Sequence, residues 1–231
     1  MVLIPSRRVF LHSASIICAG GLVSLSGKAM AFGLNSLTGG GSGDSDAFIK
    51  HAAYGTRSLM LSLSEMHLAI ENKESADQLI AIANELKSGE MSEDNWKTSA
   101  ETIDKNPINT EAIAAAQKAK SGTHVGKGFL LGVFAGFWDQ KAVNSAQGII
   151  SNAGSGGLAG ALGGASGAIM IAKSAVDVLP NHVSLSTDII STASEYMASN
   201  DISRPNKSEA NKIAQEMFSS DSSDVDFSSF G

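Results

Sequence analysis

From Asp46 the apolar positions fall at three- and four-residue steps: Ile49, Ala52, Ala53, Leu59, Met60, Leu63, Met66, His67 and Ile70. That period predicts a helix with one buried face. A second helix follows Asn72, with Ser75 and Gln78 offering a capping box. Its stripe is Ala76, Leu79, Ile80, Ala83 and Leu86, and Gly89 supplies its stop. Ser92 caps a polar third helix, with Glu93 and Asp94 at the positive end of its dipole. Pro107 requires that helix to end before it. Thr110 caps an Ala-rich segment over 111–120, with a break expected at Ser121-Gly122. Residues 128–138 then form the most apolar stretch outside the N-terminal leader. Apolar on every side, they predict a central helix or one covered by partners. Eleven residues are too few to cross a bilayer, which takes ~20. After Pro180 two more helices are expected, over 184–199 with Leu185, Ile189, Ala193, Tyr196 and Met197 inward, and over 208–218. No run sustains period-two alternation, so a sheet is not expected. The pattern predicts an all-α, bundle-like single domain of about seven helices over 46–218.

Between Lys141 and Lys173, 31 consecutive residues carry no charge. Within them Gly156, Gly160, Gly163, Gly164 and Gly167 are spaced by threes and fours. On a helix the five project into an arc of about 100°. Each glycine costs a helix about 1 kcal/mol relative to Ala, so the face needs close approach of another backbone to offset the loss. Packing against the central helix 128–138 is the first expectation. A homo-oligomeric contact or a helical protein partner is the second, and membrane insertion the third. The membrane reading is not favoured, because 157–172 is only 16 residues and rich in Gly.

The N-terminus is organised differently. Ser6-Arg7-Arg8-Val9-Phe10-Leu11-His12 precedes a weakly apolar stretch over 13–27, and Lys28 precedes Ala29-Met30-Ala31, a small-x-small cleavage pattern. Residues 1–31 resemble the twin-arginine family of signal peptides, whose pattern S-R-R-x-F-L-K is matched through Arg7, Arg8, Phe10 and Leu11, with His12 in place of the final Lys. The resemblance implies export of a folded chain by the twin-arginine translocase, cleavage between Ala31 and Phe32, and a periplasmic or secreted product. It also implies a search for a cofactor, since many such passengers fold around one. Residues 32–45, with their glycine run, read as a flexible lead-in. Residues 219–231, rich in Ser and Asp, read as a disordered acidic tail.

Removing the leader's three positive charges from the formal −6 leaves the remainder near −9. Nucleic acid is therefore not an expected partner, since it needs clustered Lys and Arg. Cys18, the only cysteine, leaves with the leader, so the remainder has no disulfide and no thiolate ligand or nucleophile. His51, His67, His124 and His182 do not form His-Glu-x-x-His or Glu-x-x-His. His67 beside Leu63 and Ile70 reads as a core-edge residue. Gly126-Lys127-Gly128 lacks the first glycine and the Ser or Thr of a phosphate loop. Gly154-Ser155-Gly156 falls short of a nucleophile elbow. Asp221, Asp224 and Asp226 lack the turn Gly and terminal Glu of a calcium loop. No catalytic, cofactor or metal site is assigned. The expectation is a non-catalytic interaction or assembly protein. The alternatives are a membrane-associating glycine-zipper protein, or a cofactor carrier or enzyme whose site residues are dispersed in sequence.

Overall fold

A computed structural model describes residues 45–155, 166–225 and 227. Among them are seven α-helices and no strand: α1 (Ser45–Ala69), α2 (Lys73–Glu85), α3 (Glu93–Lys105), α4 (Thr110–Ala115), α5 (Lys118–Ser155), α6 (Ser166–Ser199) and α7 (Lys207–Phe218). A 3-10 turn, Ser219–Asp224, follows α7. The chain is all-α, as its periodicity predicts.

The core is a pair of antiparallel helices, α1 and α5, with α6 laid along α5 and α2 against α1. Every residue of α1 from Ala52 to Met60 is buried. Small residues allow this enclosure. Ser62 Oγ donates to Gly128 O at 2.6 Å, and Ser121 Oγ donates to Ala69 O at 2.6 Å, so buried hydroxyls bond carbonyls of the facing helix. At Gly128 a β-carbon would stand 2.7 Å from Met66 Sδ. The expected central helix 128–138 is thus central, but what covers it is α1 and the second half of α6. Gly132 faces Ser62, Ile189 and Ile190, and Gly136 faces Ser186. Gly156, Gly160, Gly163 and Gly164 lie outside the described residues, and Gly167 belongs to the first turn of α6.

Local signals set most helix starts. Asn72 Oδ1 accepts from Ser75 N, so Asn72 caps α2 and Ser75 lies inside it. Gly89 adopts φ +75° just past α2, against the Tyr54 ring. Ser92 caps α3, Asn109 caps α4, and Asn206 with Glu209 forms a reciprocal capping box on α7.

Five expectations are corrected. Asn109, not Thr110, caps the Ala-rich segment. The break expected at Ser121-Gly122 falls instead at Ala116, whose extended backbone turns its carbonyl to Tyr196 OH at 3.2 Å. Gly122 continues the helix because Ile202 fills the space beside it, and Ser121 is tied to α1. Pro180 does not start a helix; α6 begins at Ser166 and runs through it. Proline removes one helical donor, but Pro180 is exposed while Leu179 and His182 are buried on the inner side and hold the helix. Leu185 is only half-buried, with Ser186 inside in its place. Residues 219–225 are not a solvated tail: Asp221 is bonded to α1, and Val225 is 5% exposed.

Candidate functional site

Trp138 and Asp139 are consecutive on α5, so their side chains leave the helix about 100° apart. Each anchors a different constellation.

Trp138 is fully buried and is met by three aromatic side chains from α1 and α7. His51 of α1 stacks on it at 5.3 Å between centroids, Tyr54 meets it edge-on at 5.3 Å, and Phe218 of α7 does so at 5.3 Å. The Lys141 ammonium lies 5.1 Å from the indole and 3.6 Å from Asp224 Oδ2. Above this floor is a recess of about 340 Å³ lined in part by Lys50, His51, Tyr54, Trp138, Asp221 and Asp224. That is the lower end of the range for small-molecule pockets, roughly 300–1,000 Å³. One carboxylate oxygen, Asp221 Oδ2, takes both the Lys50 ammonium at 2.6 Å and the Tyr54 hydroxyl at 3.0 Å.

Electrostatics follow from these neighbours. Burial, then the charge of Lys141, pushes the His51 imidazole down to about 4, so it is neutral at pH 7. Burial and the Asp221 hydrogen bond raise the Tyr54 phenol. Burial acts to raise Asp221, but its bonds from Lys50 and Tyr54 outweigh that and hold it below the usual carboxylate range. Lys50 is raised chiefly by its bond to Asp221.

Asp139 turns the other way, into the contact between α1, α5 and α6. It is wholly buried, and neither carboxyl oxygen has a hydrogen-bond partner among the described residues. A β-carbon on Gly55 of α1 would stand 2.0 Å from its Oδ1. From α6, His182 Nδ1 lies 4.0 Å from its Oδ2 and likewise has no hydrogen-bond partner among them. Trp96 of α3 covers His182 at 5.9 Å and is itself fixed by an Nε1–H bond to Ser174 Oγ at 3.0 Å. Burial alone pushes the Asp139 carboxyl well above the usual range and His182 down to about 4.

The other histidines are accounted for by local bonds. His67 Nε2–H donates to Asn106 O at 3.3 Å and its Nδ1 accepts from Asn72 Nδ2 at 3.3 Å, which fixes the tautomer. It is buried, deeper than the core-edge place its sequence neighbours predict. His124 Nδ1 pairs with Glu65 Oε2 at 2.5 Å. Among the described residues no three His, Cys, Asp or Glu side chains converge on a metal-sized site. Arg7, Arg8, Phe10, Leu11, Ala29 and Ala31, the residues of the export signal, lie outside the described residues.

Sequence reasoning missed Asp139 and His182 as a pair, since 43 positions separate them. The one available signal was an acid directly following an eleven-residue apolar helix. Comparison with protein-family models, with curated proteins and with solved structures finds no match for this chain.

Proposed function

We propose that this is an exported, non-catalytic helical protein that works by presenting the end of its α5–α6 hairpin to another helical surface, a second copy of the chain in the first instance. The observation that carries the reading is where the uncharged run falls. Residues 142–172 span the last turns of α5 and the first turns of α6. Contacts of Ser62 with Gly128, Ala69 with Ser121 and Gly55 with Asp139 fix the antiparallel register of α1 on α5. Continued at the same rise, that register brings Ser45, where α1 starts, beside about residue 148 of α5. The hairpin therefore runs on past α1. Met170, on this extension, is 53% exposed and is the exposed large hydrophobic side chain among the described residues. An uncharged run whose sequence carries glycines at helical spacing suits close helix-to-helix contact.

Among the described residues no helix is long and apolar enough to cross a membrane. The arginine pair Arg7-Arg8 and the Ala29-Met30-Ala31 pattern support export by the twin-arginine translocase. The test is size-exclusion light scattering of the full chain carrying Gly160→Leu with Gly164→Leu, and separately Met170→Lys. The expected result is a lower assembly state with unchanged helicity. A wild-type chain that is monomeric across the accessible concentration range, or a double variant that unfolds, overturns the reading. Flotation with liposomes supplies the opposing outcome: recovery in the lipid fraction would replace the protein partner with a bilayer.

A further inference from the structure

A core carboxyl with no bond to either oxygen destabilises a fold relative to an apolar side chain of similar size. Asp139 is nevertheless placed where α1 and α5 meet closely, over a residue that must be glycine to admit it. His182 stands 4.0 Å away on the third helix of the contact, equally buried. Among the described residues no charged group is placed against the pair. Gly55 faces it from α1, and Trp96 covers it from α3. On α1, His51 is engaged with Trp138 and Arg57 donates to Met217 O. Lys141 of α5 lies over Phe137 and Trp138, and Asp177 of α6 is exposed.

We propose that Asp139 and His182 form a single-proton latch, in which the folded chain holds one proton between the two side chains and loss of that proton above neutral pH loosens the α5–α6 hairpin. Counting protons gives the sign. In the unfolded chain near pH 8 the carboxyl is ionised and the imidazole neutral, so the two groups carry no exchangeable proton. The folded pair carries one, on the carboxyl. Folding therefore takes up a proton, and stability falls as pH rises above the ordinary imidazole value of 6.5. Between about pH 4 and 6.5 the unfolded chain also carries one proton, now on the imidazole, and the pair contributes no slope. Loss of the proton to solvent leaves a carboxylate in a contact where, among the described residues, nothing cationic faces it.

The experiment measures the folding constant of the full chain by urea titration at a series of pH values for wild type, Asp139→Asn, His182→Gln and the double variant. Each is expressed relative to the double variant, so that His51 and His67 cancel. The wild-type ratio is expected to be level between about pH 4.5 and 6.5 and to fall about tenfold per pH unit above it. Asp139→Asn is expected to reverse the profile, level above about pH 6.5 and falling about tenfold per unit below it, because His182 then titrates alone. A wild-type ratio that is flat above neutral, or the same profile with and without Asp139, overturns the proposal. A second measurement needs no variant: unfolding the unmodified chain in weakly buffered solution at about pH 7.5 should release close to one proton, and no release overturns it. In wild type alone, amide exchange around positions 139 and 182, corrected for its intrinsic pH dependence, should accelerate at alkaline pH.

Discussion

The carboxyl of Asp139 rests on the bare backbone of Gly55, with Oδ1 only 2.0 Å from where a β-carbon would be and the Asp139 backbone N 2.8 Å from it. Gly55→Ala must therefore push α1 and α5 apart or drive Asp139 from its place. The expected loss is at least the ~1–3 kcal/mol typical of overpacking. Urea denaturation checks it. A variant as stable as wild type would mean that α1 and α5 shift apart freely.

Gly126 sits in the same helix as Gly128 and Gly132 but has nothing within 4 Å of its β position. Gly126→Ala should stabilise the chain by about 0.5–1 kcal/mol, through helix propensity and a less flexible unfolded state. Gly128→Ala, against Met66 Sδ, should not share the gain. Thermal unfolding of the two variants side by side distinguishes them.

Much of the helical frame was legible in the sequence because it rests on local rules. Asn and Ser caps, Gly89 and the three-four periodicity of α1 act within a few residues. What was not legible depends on residues far apart. The break at Ala116 is held by Tyr196, 80 positions away. Pro180 is tolerated because its neighbours Leu179 and His182 are gripped by other helices. Gly55 gave no sign of being a contact point, since a glycine inside a helix looks the same whether or not something rests on it. The acidic tail misled for a similar reason: Asp221 reads as solvated until Lys50 and Tyr54 are known to converge on it.

Trp138→Ala should cost about 3–5 kcal/mol, the usual range for removing a fully buried large aromatic. It removes the floor on which His51, Tyr54 and Phe218 meet. Trp138→Phe keeps most of the packing and should cost less. Near-ultraviolet circular dichroism, which reports the ordering of aromatic side chains, should collapse for the first and persist for the second.

His51 is held near 4 in the folded chain against 6.5 in the open, so its neutral form is the one that fits. A histidine lowered on folding contributes stability that is whole above pH 6.5 and is lost as pH falls from 6.5 toward 4. Nuclear magnetic resonance of the imidazole C–H should show His51 still neutral at about pH 5.5, where an exposed histidine is mostly charged. Titration at the ordinary value would mean that the stack on Trp138 opens in solution.

Lys50→Met breaks an ion pair that is partly exposed on both sides, so its effect on global stability should stay within about 0–1 kcal/mol. The local effect should be larger. Limited proteolysis is expected to cut within 219–225 faster in Lys50→Met and in Asp221→Asn than in wild type, and wild type itself should be cut faster at high salt. Equal rates would show that Phe218 and Val225, not the charges, hold the turn down.

Phe218 packs on Tyr54, Phe134 and Trp138, and Asp221 bonds to Lys50 and Tyr54, the latter a contact between positions 167 residues apart. During synthesis, α1 must wait for the last helix before its own aromatic side is covered. Until residue 218 has emerged, Tyr54, Phe134 and Trp138 lack the ring that packs on all three, so the aromatic cluster is completed only by α7, however fast the individual helices form.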